Sequence, residues 1–77
     1  MITLLEVPVG EHARLTLING RLRTKLMQYG LHIGDCLRVL RAAPLGGPLL
    51  VEVNGREIAL GRAVAGKILV EAECASP

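Results

Sequence analysis

A small, mostly β barrel with one short inserted α-helix is the fold that the sequence predicts, and three observations predict it. Several short segments alternate apolar and polar residues, the period of a strand with one wet face. An Asn54-Gly55 pair sits between two apolar-rich stretches, which is the strongest short-range hairpin signal. A single segment, residues 21–29, carries its apolar residues at helical spacing instead.

Residues 1–10 read as a lead-in and residues 11–18 as the first strand, with Ala13, Leu15 and Leu17 on one face and His12, Arg14 and Thr16 on the other. Asn19-Gly20 ends that strand. Leu22, Leu26 and Tyr29 then stand at i, i+4 and i+7, so this stripe is expected to face the core from a helix of little more than two turns. Gly30 suits the left-handed position after such a helix, with Leu31 returning toward Leu26 as in a Schellman cap. Gly34-Asp35 marks a turn, and residues 37–42 read as the second strand. The loop Pro44-Leu45-Gly46-Gly47-Pro48 is expected to be rigid at its ends and mobile in its middle. Residues 49–53 and 56–60 form the hairpin, whose two-residue turn sets Val53 opposite Arg56, Glu52 opposite Glu57 and Val51 opposite Ile58. The opposed glutamates need a neighbouring cation, for which Arg38 or Arg41 is preferred over a metal. A 3₁₀ turn is expected over residues 63–65, and a last strand over residues 67–71 with Ile68 and Val70 inward. Five short strands, close turns and one helix fit a five-stranded SH3-like barrel, since closure removes exposed sheet edges.

Composition sets the scale of the core and excludes several functions. A chain of 77 residues buries only about 60% of the surface its unfolded form exposes, so residues 1–77 are expected to form a single domain. Hydrophobic residues make up 51% of it and charged ones 21%, enough apolar surface to fold without a disulfide or a structural metal. Tyr29 is the only aromatic residue, which removes both the aromatic groove that holds proline-rich peptides and the platform that stacks single-stranded bases. A formal charge of +2, spread along the chain, is no nucleic-acid signature. No apolar run approaches the roughly 20 residues that span a bilayer. The N-terminus meets Glu6, Pro8 and Gly10 before any signal-type apolar region builds up. A cytoplasmic protein without direct membrane insertion is expected.

No catalytic residue emerges, because His12, His32, Cys36, Cys74, Ser76 and the carboxylates show no catalytic spacing. His32, Asp35 and Cys36 are close in sequence, but they straddle Gly34 and lack a fourth ligand, so a solvated loop is preferred over a metal centre. No metal site and no required cofactor follow; a divalent ion such as zinc is left at most weak surface binding through His12 or His32. Cys36 and Cys74 form no C-x-x-C pair and read as small hydrophobes, with a disulfide between them left open. Gly46-Gly47 lacks the lysine and the following helix of a phosphate loop. What remains is protein contact, expected through Arg23, Met27 and Tyr29 on the helix and through Pro44, Leu45 and Pro48 in the loop.

The run Leu26-Met27-Gln28-Tyr29-Gly30-Leu31-His32-Ile33-Gly34-Asp35 resembles the leucine-x-x-x-glycine-leucine-x-x-glycine element of the ferrous iron transport protein A (FeoA) family. Ala43-Pro44-Leu45-Gly46-Gly47-Pro48-Leu49 is similar to the family's second signature. Ile58-Ala59-Leu60-Gly61-Arg62, followed by Ala65 and Ile68, is similar to a third. The resemblance runs from Leu4 to Val70 and implies an SH3-like barrel with a helix inserted after the first strand. It departs from the family pattern at Gly61, where a larger residue is more usual, and at Gly66. In function it implies a cytosolic, non-enzymatic accessory of ferrous iron uptake that docks on the FeoB-type ferrous iron permease, a membrane protein with a cytosolic GTP-binding domain. Leu26, Gly30, Leu31, Gly34, Gly46 and Gly47, with Asn54 and Gly55 of the hairpin, are then expected to be structural. The alternative reading is that the barrel resembles the C-terminal domain of metal-dependent transcriptional repressors, as a regulatory domain working with a separate DNA-binding chain. A homodimer is compatible with both.

Overall fold

The computed structural model describes residues 1–18 and 20–71. Its elements are β1 (Ile2–Thr3), a 3₁₀ turn (Leu4–Glu6), β2 (His12–Ile18), α1 (Gly20–Gln28), β3 (Cys36–Ala42), β4 (Leu49–Val53), β5 (Arg56–Leu60), α2 (Arg62–Ala65) and β6 (Ile68–Glu71). The strands form one antiparallel sheet in the order β1-β6-β2-β3-β4-β5. The fold is thus mostly β with a helix inserted after the first long strand, as expected, but the sheet has six strands among the described residues and does not close. The extra strand is β1, where Ile2 faces Val70 and Thr3 faces Leu69. Two residues carry no readable alternation, so a strand this short is invisible in sequence.

The hairpin of β4 and β5 follows from its turn. Asn54 and Gly55 take φ of 51° and 78°, the positive values that match a two-residue turn to the twist of the strands. Val53 therefore faces Arg56, Glu52 faces Glu57 and Val51 faces Ile58. Arg38 lies opposite Glu52 on the next strand and His12 lies opposite Arg38, which sets an arginine in the cross-strand row of the glutamates without bringing it within ion-pair distance of either among the described residues. Arg41 instead faces Leu50.

Alternation fails in two places, and each failure is a bulge. Between β2 and β6 the register passes from Leu15 opposite Val70 to Leu17 opposite Leu69, leaving Thr16 as the extra residue. The Thr16 hydroxyl donates to the Leu69 carbonyl at 2.9 Å. The bulge turns Leu17 outward, to 50% exposure, and sends Ile18 inward in its place; the predicted inward position of Leu17 is thereby corrected. A second irregularity, between Val39 and Arg41, leaves Leu40 as the extra residue of β3.

The core is aliphatic throughout. Leu4, Leu15, Leu26, Leu31, Leu37, Val39, Val51, Val53, Leu60, Ile68 and Val70 are essentially fully buried. Leu22, Ile2, Ile58 and Val64 pack against them from the margin. The lead-in contributes Leu4 through its 3₁₀ turn, which the Glu6 carboxylate steadies by accepting the Thr3 N–H at 2.7 Å. Near the other end, the predicted 3₁₀ turn is a four-residue α-turn that buries Ala65.

Candidate docking surface

Helix α1 presents three kinds of surface. Leu26 is buried and Leu22 half-buried, while Arg23 and Met27 face outward, Met27 at 50% exposure. Tyr29, predicted to complete the inward stripe, is exposed. The cause is the cap: the Leu31 N–H donates to the Leu26 carbonyl and the Gly30 N–H to the Met27 carbonyl, both at 3.0 Å, the hydrogen-bond pair of a Schellman motif. With Gly30 at φ 87° the chain reverses there, Tyr29 leaves the helical ladder, and Leu31 takes the buried place. A Cβ on Gly30 would run into the Arg56 guanidinium. That group donates to the Tyr29 carbonyl at 3.5 Å, linking the end of the helix to the start of β5.

The segment after the cap folds back on β2. The Asp35 N–H donates to the His32 carbonyl at 3.0 Å, and the His32 N–H donates to the Asp35 carboxylate at 2.8 Å. The Gly34 N–H donates to the Leu15 carbonyl at 2.7 Å, and the Leu15 N–H to the Asp35 carbonyl at 2.8 Å. This holds His32 and Ile33 beside the outward flank of α1. Ile18, Arg23, Met27, Leu31, His32 and Ile33 line a groove there of about 160 Å³. The Asp35 carboxylate is committed to its own turn, with the His32 ring nitrogen Nδ1 3.8 Å away. Cys36 opens β3 half-buried and is no free thiol, so it does not read as the inert small hydrophobe expected; Cys74 lies outside the described residues. Among the described residues no three His, Cys, Asp or Glu side chains converge in a metal-binding group.

The loop between β3 and β4 is a closed turn. The Ala43 N–H donates to the Pro48 carbonyl at 3.0 Å and the Gly47 N–H to the Pro44 carbonyl at 3.1 Å, so two backbone bonds close the turn around Leu45 and Gly46. A Cβ on Gly47 would fall 2.7 Å from that of Ala43. Leu45 occupies the turn at φ 58°, followed by Gly46 at 74°, and its side chain is completely exposed. A left-handed leucine costs roughly 1–2 kcal/mol, and here no buried contact offsets that cost.

The residues predicted to meet a partner therefore divide. Arg23 and Met27 share the groove, whereas Tyr29 and the Pro44, Leu45 and Pro48 turn line neither it nor the second hollow. That second hollow, of about 400 Å³, lies over Leu17, Leu69, Gly66 and Lys67. Sequence reading missed Ile18, Ile33, Leu17 and Leu69, because the bulge that decides which of Ile18 and Leu17 is outward leaves no mark in composition. Charge is one-sided on α1, which carries Arg21, Arg23 and Lys25 and no acidic residue. Among the described residues no carboxylate lies within ion-pair distance of these three.

The sequence profile of the FeoA domain matches residues 2–72. Fe(2+) transport protein A from Methanocaldococcus jannaschii is 40% identical over 47 residues, which are 61% of this chain and 55% of that protein; the chain spans about half the length of this curated relative. The solution structure of the FeoA protein from Chlorobium tepidum superposes with a TM-score of 0.84 at 35% identity, covering 99% of this chain and 74% of that one. The zinc-bound structure of ScaR superposes with the same TM-score of 0.84 at 31% identity, covering 95% of this chain but 37% of that one. No helix among the described residues is long and apolar enough to cross a membrane.

Proposed function

The chain belongs to the FeoA domain family, and from that premise we propose that it is a cytoplasmic, non-enzymatic accessory of ferrous iron uptake that docks on the cytosolic part of an FeoB-type permease. The observation that carries the docking reading is a pair of apolar side chains that the fold holds outward, Met27 at 50% exposure and Leu45 at full exposure. Single exposed apolar residues are ordinary on a protein surface. Leu45 is different, because its left-handed backbone makes the exposed leucine cost stability while adding nothing to the core. Ferrous iron enters this reading as cargo of the transporter, and no resident metal or cofactor is assigned to the domain.

The similarity to ScaR, a manganese-activated repressor, supports a second reading as a regulatory module beside a metal-dependent repressor. The two separate experimentally. In a strain lacking its own copy, Met27→Asp and Leu45→Asp proteins are expected to remain folded and abundant but to support less ferrous iron uptake, since loss of an interface anchor typically costs about 1–3 kcal/mol of binding. Pull-down by the permease's cytosolic domain, with and without GTP, should weaken in parallel. Full uptake by both variants would refute this surface, and normal uptake after deletion of the whole protein would refute the transport role.

A further inference from the structure

We infer that the groove beside α1 seats an acidic protein segment carrying one large apolar side chain; this deepens the docking reading above by giving the partner's chemistry. Size, lining and charge converge on that occupant. The groove is walled by Ile18, Met27, Leu31 and Ile33, with Met27 and Ile33 left about half exposed at 50% and 44%. An enclosed apolar space of about 150 Å³ holds one benzene-sized group; this groove, open on one side and lined by Arg23 and His32 as well as by apolar side chains, measures about 160 Å³, the scale of a single leucine, methionine or phenylalanine side chain.

The ionisable residues of the lining are Arg23 and His32, with no carboxylate among them. Asp35 lies 3.8 Å from the His32 ring and accepts the His32 N–H, so Arg23 is the cation of the lining left for a partner's carboxylate. Arg23 lies four residues before Met27, one turn along the same flank, so a carboxylate next to the inserted side chain meets the guanidinium. Arg21 and Lys25 stand on the other flank of α1, which carries no acidic residue to offset Arg23. An acidic apolar segment therefore gains on both counts, and a basic one is repelled.

Random dodecapeptides displayed on phage and selected on the purified full-length chain test this assignment. Enriched peptides are expected to share one large apolar residue flanked by at least two Asp or Glu. Titration of the synthetic peptides into ¹⁵N-labelled protein should move the amides of Ile18, Arg23, Met27, Leu31, His32 and Ile33. Arg23→Glu should weaken binding at least tenfold, and a peptide with lysine in place of the acidic residues should regain it on that variant. The assignment is overturned by no enrichment, by enriched peptides without acidic residues, by shifts centred on Leu17 and Leu69, or by binding indifferent to Arg23→Glu. Adsorption to phosphatidylserine vesicles that is lost in Arg23→Glu, without peptide binding, would make the face a lipid surface and equally overturn it. Peptide capture by the groove together with unimpaired iron uptake in Arg23→Glu would remove this groove from the transport reading and leave the groove assignment standing. Uptake that depends on Met27 while no acidic peptide binds would do the reverse.

Discussion

Gly30 concentrates two kinds of constraint, and substituting it separates them. Its φ of 87° lies where an L-residue with a Cβ is strained by roughly 1–2 kcal/mol. The same Cβ would also displace the Arg56 guanidinium. That side chain is exposed and its bond to the Tyr29 carbonyl is long, at 3.5 Å, so moving it is expected to cost no more than about 0.5 kcal/mol, as for most surface groups. Backbone strain should dominate.

Gly30→Ala is therefore expected to lose about 1–2 kcal/mol. In a domain of this size each kcal/mol moves the melting temperature by about 4–8 °C, a fall large enough to read by circular dichroism. Gly30→Val should fall further, since a β-branched residue is a poorer fit to positive φ. Gly30→Asn should fall less, because asparagine tolerates that region. Repeating the alanine change in an Arg56→Ala background removes the collision and leaves the strain, so nearly the whole loss should persist. A Gly30→Ala protein melting within about 2 °C of the parent would refute the left-handed cap, and a loss that vanishes in the Arg56→Ala background would refute the ranking of the two causes.

Leu45→Asn should raise stability by about 0.5–1 kcal/mol in urea unfolding, by relieving the left-handed leucine, while lowering iron uptake; an unchanged or lower midpoint would contradict the strain. Thr16→Val removes the hydroxyl that donates to the Leu69 carbonyl and should cost about 1 kcal/mol, with no loss in urea unfolding counting against a stabilising role for the bulge bond. Unfolding should be indifferent to a strong chelator, since the core is assembled from aliphatic side chains; a midpoint that drops with chelator would show a metal holding the fold.

What the sequence made legible were features written locally. The Asn54-Gly55 turn dictated the register of β4 against β5 down to the opposed glutamates, because a two-residue turn leaves no freedom in pairing. Gly30 and Leu31 marked the helix stop, because the cap needs one residue at positive φ and one apolar residue after it. The misses come from tertiary pairing at Leu17 and from the cap itself at Tyr29. Leu17 looks inward by alternation, and only its meeting with β6 inserts Thr16 as a bulge and exchanges Leu17 for Ile18. Tyr29 fits a helical stripe by spacing, yet the cap that ends the helix removes it from the stripe. Of the docking residues, Arg23 and Met27 were readable as the outward flank of a short helix; Ile18 and Ile33 were not, since one arrives by the bulge and the other by the turn that binds back onto β2.

Met27 and Leu45, the two exposed apolar residues on which the docking reading rests, are held outward by different means, and the difference bears on that reading. Met27 sits on a regular helix at a position where any polar residue would serve equally well for folding, so its exposure costs little and is weak evidence alone. Its weight comes from the setting: the Schellman reversal and the His32 to Asp35 turn bring Ile33 and Leu31 alongside it and make a concave seat. Leu45 has no such seat. It stands alone on a closed turn in a conformation that asparagine or glycine would fill more stably. Local rules and global fold agree almost everywhere else in this domain, so the place where they disagree is the stronger pointer to function. A groove that accepts a side chain and a knob that offers one are complementary halves of a docking surface. Since Leu45 is no part of the groove lining, the docking reading has the two meet a partner at separate points. Losses from Met27→Asp and Leu45→Asp should then be close to additive in binding free energy, as they are for residues that share no contacts, and a double variant no weaker than either single one would show that they act as one site.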